Sequence, residues 1–424
     1  MNRRKLSNIE HLADVNIACS LRLAGKLDLG KLQTALGYLQ RRHPALRALI
    51  RPEHDLLYYE PNSAPEISFR VARSADDEIY RREWDLELST GFHSELPQLR
   101  VVYFERECDC DLLFTTSHRI CDGLSVFIIA RDVLRFLAGH VEPNAHEEIS
   151  TADLIGEYQP TRLWLTSTSV ALVNTCLHLL PRSGPLPKRK ESFAEWSVGH
   201  QASTALRQQC RAKGASMHAA FLVALDRALS LILGRRSPKF VTCPIDMRRG
   251  RFPALPEDML FYGGGNFKVR TGRWIEGDFW DNARVLTAEI RADVEREVRE
   301  LPGRLFLFDK LRPLGCGQVR FLNRVGETLR SKRRIAGIGL ANLGIVKFSE
   351  NDCPLPVRGI RFSARSLNFG VLGLIAYTVN DNMQFYCMYS ENVLNESEMQ
   401  ALQQEFMGTL ECQIERTCAK AVTA

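Results

Sequence analysis

The sequence predicts an α/β protein with sheets and helices layered together in both halves of the chain. Two observations predict it. Short β-prone runs alternate with amphipathic helical stretches along the 424 residues, and the alternation continues on both sides of a proline-rich connector. The first half opens on a strand over 16–23, and Asp28 then caps a helix whose apolar face carries Leu29, Leu32, Ala35, Leu36 and Leu39. Short strands follow at Tyr58-Tyr59 and 67–71. The runs 99–104 and 111–116 read as a hairpin, succeeded by a helical pattern from Leu124 to Leu137.

The connector Pro181-Arg182-Ser183-Gly184-Pro185-Leu186-Pro187-Lys188-Arg189-Lys190 combines proline, glycine and a basic run. It divides the chain into an N-terminal lobe (1–182), a linker (183–190) and a C-terminal lobe (191–424). In the second lobe the pattern predicts a strand over 196–201, helices over 202–213 and 216–233, a buried strand over 240–245 and a long helix over 279–298. Strands over 371–377 and 383–389 follow, then a closing helix from about Glu396 to Glu415.

Composition narrows the function classes. A formal net charge of +6, dispersed along the chain, is too small to indicate nucleic acid and suits weak steering of an anionic partner. The twelve cysteines show no paired spacing, and no long apolar run follows Met1-Asn2-Arg3-Arg4-Lys5. Both features point to a cytoplasmic protein with free thiols. Cys108-Asp109-Cys110 lacks the second ligand pair of a zinc site, and no other cluster suggests a metal. Gly263-Gly264-Gly265 is not followed by the Lys-Ser or Lys-Thr of a phosphate loop, and reads as a flexible crossover. The stretch Leu163 to Leu180 has no charged residue but is too polar for a good membrane span, which makes it a buried or surface helix with marginal membrane contact.

The most informative stretch is Ser117-His118-Arg119-Ile120-Cys121-Asp122-Gly123, placed between the hairpin's second strand and the next helix. A strand-to-helix turn can present an imidazole into a cleft, and histidine is the side chain best suited to act as a base near neutral pH.

This His-x-x-x-Asp-Gly string resembles the signature of the CoA-dependent acyltransferase superfamily, which includes chloramphenicol acetyltransferase, nonribosomal-peptide condensation domains and polyketide-associated acyltransferases. Five more segments resemble it in the required order. They are Arg4-Lys5-Leu6-Ser7-Asn8-Ile9-Glu10, Arg42-His43-Pro44-Ala45-Leu46-Arg47, Gly214-Ala215-Ser216-Met217-His218-Ala219, Pro244-Ile245-Asp246-Met247-Arg248-Arg249 and Ala341-Asn342-Leu343-Gly344. The resemblance implies two chloramphenicol-acetyltransferase-like lobes, each a mixed sheet with helices, forming a V-shaped pseudo-dimer around a central channel.

The chain departs from the family pattern in two places. Ser117 stands where many members have a first histidine, which separates it from peptide-forming condensation domains. Asn368-Phe369-Gly370 is only a fragment of the Asp-Phe-Gly-Trp-Gly segment of plant acyltransferases. With no adenylation or carrier signature present, a free-standing enzyme of secondary metabolism is expected, polyketide- or nonribosomal-peptide-related.

The resemblance implies that His118 is the catalytic base. It implies no tightly bound cofactor, an acyl-CoA or phosphopantetheinyl carrier protein as donor, and a small-molecule alcohol or amine as acceptor, with oxygen slightly favoured. Asp122 is expected to pair with Arg248 or Arg47, or else to act as a plain helix cap. Gly123 either admits a pantetheine arm or serves an ordinary turn. Asn342, Ser363 and backbone N–H groups are open candidates for an oxyanion donor. Two other readings compete: a catalytically inert relative that binds a carrier protein or partner, and a lipid acyltransferase working at a membrane surface.

Overall fold

The computed structural model describes residues 3–422 apart from 74–75, 143, 157, 159–162, 185–190, 249–250, 253–254, 331–336, 367–371 and 392. In chain order the first half contains β1 (Arg4–Lys5), α1 (Asn8–Leu12), β2 (Val15–Leu23), α2 (Leu29–Arg42), β3 (Leu49–Glu53), β4 (Leu56–Glu60), β5 (Phe69–Arg73), α3 (Asp77–Ser89), β6 (Leu99–Glu105), β7 (Cys110–Ser117), α4 (Ser125–Leu137), α5 (Thr151–Ile155) and α6 (Leu163–Leu179). The second half contains β8 (Glu191–Val198), α7 (His200–Ala212), α8 (Met217–Leu233), β9 (Phe240–Pro244), β10 (Asn266–Arg270), α9 (Phe279–Lys310), α10 (Cys316–Arg330), β11 (Ile338–Val346), β12 (Val357–Ser366), β13 (Leu372–Val379), β14 (Asn382–Ser390) and α11 (Glu396–Val422).

Two mixed sheets organise the molecule. The first has order β12-β2-β7-β6-β5 and the second β10-β9-β11-β13-β14-β8, with a small β1-β4-β3 sheet beside them. This is the α/β architecture the sequence predicts. One strand crosses the expected division: β12 comes from the C-terminal half, yet it pairs antiparallel with β2 of the first sheet, Ser363 opposite Ala18. Two large cores result. The C-terminal core is built on α8, which is buried almost all round and caps its start with Ser216. The segment Met217–Arg236 is the one described stretch long and apolar enough to cross a membrane, and 61% of its apolar window lies inside the protein. The other core joins α2 and α4 to side chains of the second half. Phe127 of α4 stacks on Phe362 of β12 at 5.2 Å between ring centres, and the two halves meet through hydrocarbon there.

Local chemistry explains the elements that position the site. The Asp28 side chain accepts from the Lys31 N–H and starts α2, which buries Leu32, Ala35, Leu36 and Leu39. β2 and β7 are buried along most of their length, so the strand carrying the heptapeptide is a rigid central strand.

Several predicted boundaries move. The strand expected over 196–201 is β8, which starts five residues earlier and stops before Gly199, the cap of α7. The helix expected to stop at Val298 runs on through Pro302, because Leu301 and Leu305 are buried and hold the chain in register past the missing N–H. Helices α3 and α10 and the strands β10 and β12 did not stand out in the residue pattern. The second half of the connector and the fragment Asn368-Phe369-Gly370 lie outside the described residues.

Candidate active site

The site is a turn of seven residues held from three sides. β7 ends at Ser117, whose N–H donates to the Gln98 carbonyl, and the His118 N–H donates to the Val15 carbonyl at 2.8 Å. The backbone is therefore pinned to both neighbouring strands at the point where the imidazole emerges. The ring Nδ1 lies 2.6 Å from the Cys121 carbonyl oxygen. A carbonyl can only accept, so Nδ1 carries the proton and Nε2 keeps its lone pair. No hydrogen-bond partner for Nε2 occurs among the described residues. Close packing desolvates the ring and holds its pKa below the ordinary histidine value of 6.5, against the opposing pull of the Cys121 carbonyl and the Asp122 charge. His118 is half-buried, not sealed. A neutral imidazole with a free Nε2 is what a general base requires.

Asp122 performs both jobs that the sequence left open. Its Oδ1 accepts from the Ser125 N–H at 2.9 Å and the Ser125 hydroxyl at 2.7 Å, which caps the first turn of α4. The same carboxylate takes two bonds from Arg248, 2.7 Å from Nη1 to Oδ2 and 3.2 Å from Nη2 to Oδ1. Burial would raise the Asp122 carboxyl, but the facing guanidinium and the Ser125 bonds pull it below the usual carboxylate range. Arg248 is almost wholly buried, and its remaining donors go to the Met259 carbonyl (2.9 and 2.7 Å), the Ser125 hydroxyl (2.9 Å) and Asp246 (3.3 Å). The Asp122 N–H in turn donates to the Phe261 carbonyl at 3.0 Å. The turn bearing His118 is thus tied to the end of β9 and to the 258–262 segment by a fully satisfied network.

Arg47, the alternative partner, is elsewhere: its Nη1 donates to the Arg41 carbonyl at the end of α2. A Cβ on Gly123 would lie 3.2 Å from Leu343 and 3.5 Å from Phe362, so the missing side chain makes room for β11 and β12 packing. Asn342 is a turn former, its amide oxygen accepting from the Gly344 N–H at 3.0 Å beside an irregularity in β11. It lines a separate cavity of about 300 Å³ with Met217 and Phe221. Ser363 is wholly buried within the first sheet, so a solvent-borne substrate has no direct approach to it. Cys121 is buried beside Thr116, and burial pushes its thiol up to about 12, which removes it as a nucleophile. The glycine run packs closely against its neighbours. A Cβ on Gly265 would collide with Met247, and Gly264 alone takes a left-handed φ of 64°.

Two features beside His118 were not legible in advance. Tyr262 sets its ring 4.6 Å from the imidazole, and burial raises its phenol to about 12, so it stays a hydrogen-bond donor at neutral pH. The only hint was an aromatic pair ahead of the glycines. A small cavity of about 40 Å³ borders the turn, lined by Arg119, Ile120, Phe261 and Tyr262 together with Arg4, Glu10 and Tyr59. The opening segment builds its far wall: Ser7 and Glu10 form a reciprocal capping box, and Glu10 binds both Nη atoms of Arg4, at 2.8 and 2.6 Å. Among the described residues no group of three or more His, Cys, Asp or Glu side chains gathers to hold a metal.

No family model matches the chain. About half of the chain (51%) aligns with malpinin synthetase of Mortierella alpina, 27% identical over an alignment of 241 positions, and that match spans 3% of the much longer synthetase. Solved structures agree over nearly the whole length. The condensation domain of the monacolin K polyketide synthase MokA superposes with a TM-score of 0.66 at 13% identity, covering 98% of both chains. SgcC5 of Streptomyces globisporus superposes at 0.60 with 20% identity over 97% of this chain and 99% of that one. The trichothecene 15-O-acetyltransferase TRI3 of Fusarium sporotrichioides does so at 0.61 with 14% identity over 96% and 95%. The protein shares its fold with these condensation-domain and acetyltransferase structures.

Proposed function

We propose that the protein is an acyltransferase that moves an acyl group from a CoA or carrier-protein thioester to a hydroxyl, or an amine, of a small natural-product or lipid acceptor. The observation that carries this reading is the His118 tautomer: Nδ1–H is committed to the Cys121 carbonyl, and Nε2 is left free to take a proton. In the step proposed, Nε2 accepts the acceptor's proton as its oxygen attacks the thioester carbonyl. The tetrahedral centre then collapses with loss of the thiolate, to which the imidazolium returns the proton. The products are an ester and a free thiol, with His118 restored and no acyl-enzyme formed. Holding donor and acceptor together supplies much of the rate, on the order of 7 kcal/mol or more in favourable cases. Arg248 and Asp122 act as positioning residues that fix the turn, and the Tyr262 ring packs against the imidazole.

The cavity beside the turn is too small for both substrates. Within the family, the likeness of the opening segment to polyketide-associated acyltransferases favours an oxygen acceptor. The test is a panel of acyl-CoA and acyl-phosphopantetheine donors crossed with alcohols and amines, read by product mass and thiol release. Acceptor-dependent acylation supports the proposal. A purified, folded protein that binds donors but releases no thiol with any acceptor supports the inert, partner-binding alternative instead.

A further inference from the structure

The C-terminal half encloses a cavity of about 300 Å³ between strands β11, β13 and β14 and helices α7 and α8. It lies on the face of the second sheet turned away from the His118 turn. On the near face, Leu343 of β11 would meet a Cβ on Gly123 at 3.2 Å, and the Tyr377 hydroxyl of β13 accepts from the Phe362 N–H at 3.2 Å. Their neighbours along the strands, Asn342, Ala376 and Thr378, border the cavity, as the alternation of side chains requires. The floor is hydrocarbon and sulfur, since Cys210, Ala215, Phe221, Ala376 and Met383 are all buried. The mouth is at Arg211, which is exposed, and Ile345, which is 49% exposed.

No Asp or Glu lines this cavity, and two arginines do. Arg207 is neutralised by Asp381, 2.9 Å away. The Arg211 guanidinium has no partner among the described residues. Ser216 and Met217 also border the cavity, so it faces the start of the 17-residue helix α8, where the backbone dipoles present positive charge. Apolar walls favour hydrocarbon, and an unpaired cation beside a helix start favours one negative charge at the rim. We propose that this cavity is a binding site for a medium-chain carboxylate, separate from the site around His118, with the carboxylate against Arg211 and the chain on Phe221, Ala376 and Met383. At the ~30 Å³ that a water molecule takes in the liquid, the volume corresponds to about ten non-hydrogen atoms, the size of octanoate. Arg211, Phe221, Ala376 and Met383 take no part in the chemistry proposed for His118, so the two readings stand or fall separately.

The experiment is calorimetric titration of the full-length protein with octanoate, octanol and octylamine. Octanoate is expected to bind about tenfold or more tightly than octanol, and octylamine more weakly than either. Arg211→Glu should weaken octanoate by about tenfold or more and leave octanol nearly unchanged, at an unaltered melting temperature because the side chain is exposed. Ile345→Trp narrows the mouth and should weaken octanoate and octanol alike. His118→Ala should bind octanoate as wild type does, and saturating CoA should not displace it. Wild type that binds no octanoate would overturn the proposal. So would octanol or octylamine binding as tightly as octanoate, an Arg211→Glu variant of unchanged affinity, or displacement by CoA, which would make the cavity part of the donor's path.

Discussion

Two buried ionic junctions tie the 245–262 segment to the N-terminal half, and they are built to different standards. At the first, Asp122 and Arg248 meet and every donor on the guanidinium has a partner. At the second, Arg42 binds Asp132 of α4 at 3.1 Å and also Asp258, and His43 shares the same Asp132 oxygen at 2.9 Å. There the buried His43 Nδ1 has no partner among the described residues, and the His146 ring lies 5.1 Å away, tilted by 34°. Both carboxylates sit on or just before α4, so this helix is clamped at its start and along its length. The first junction lies against the turn that presents His118. The second lies near the end of the helix and touches no part of that turn. A satisfied network holds one geometry, whereas an incomplete one tolerates several. The first junction therefore sets the position of His118, and the second serves chiefly to hold the halves together.

Matched substitutions break or sharpen this contrast. Arg248→Ala leaves the Asp122 carboxylate short of its partner and frees the 258–262 segment. It is expected to cost ~3–5 kcal/mol of stability and to abolish transfer, measured by urea unfolding and thiol release. Arg42→Ala should cost a similar or smaller amount of stability, about 2–4 kcal/mol, yet leave kcat/KM of the folded protein within a few-fold of wild type. If Arg42→Ala impairs transfer as severely as Arg248→Ala at equal folded fraction, the two junctions are not distinct in function.

The pH dependence separates them further. His118 titrates below 6.5 in the folded protein, so kcat/KM should be flat through neutrality and fall only as acid protonates Nε2, below about 6.5. Stability should fall over the same range for a different reason. Burial holds His11 and His218 down to about 4, and the unfolded chain takes up protons near 6.5 that the native protein refuses. The unfolded state then binds more protons, and stability declines as pH drops from 6.5 towards 4. Unfolding midpoints that do not move between pH 7 and pH 5 would contradict this. Tyr262→Phe removes only the hydroxyl of the ring packed against the imidazole and should lower kcat/KM by about tenfold or less, with no change in the pH profile.

Most of the first junction was legible in the sequence and almost none of the second. His118, Asp122 and Gly123 fall in one short string, and the family resemblance, rather than local spacing, implied that Asp122 pairs with an arginine, Arg248 or Arg47. That Asp122 also caps α4 follows from its position three residues before Ser125. The Arg42, His43, Asp132 and Asp258 cluster joins residues from separate turns of the chain, and no local spacing announces it. The same holds for Tyr262, whose neighbour His118 is 144 positions away, and for β12, whose partner β2 lies at the other end of the chain. The apolar character of α6 was plain, but only the bonds of Asn174 to the Lys310 carbonyl and of Gln318 to the Leu177 carbonyl reveal which side of it faces inward.

The central claim is that one neutral imidazole, with Nδ1–H spent on a backbone carbonyl, removes the acceptor's proton. The most direct measurement is the acceptor-dependent rate of thiol release by wild type and by His118→Ala, at matched folded fraction and with the donor that wild type uses best. The account predicts a loss of about 10²- to 10⁴-fold in the variant with its melting temperature little changed. Equal rates in the two proteins would contradict it.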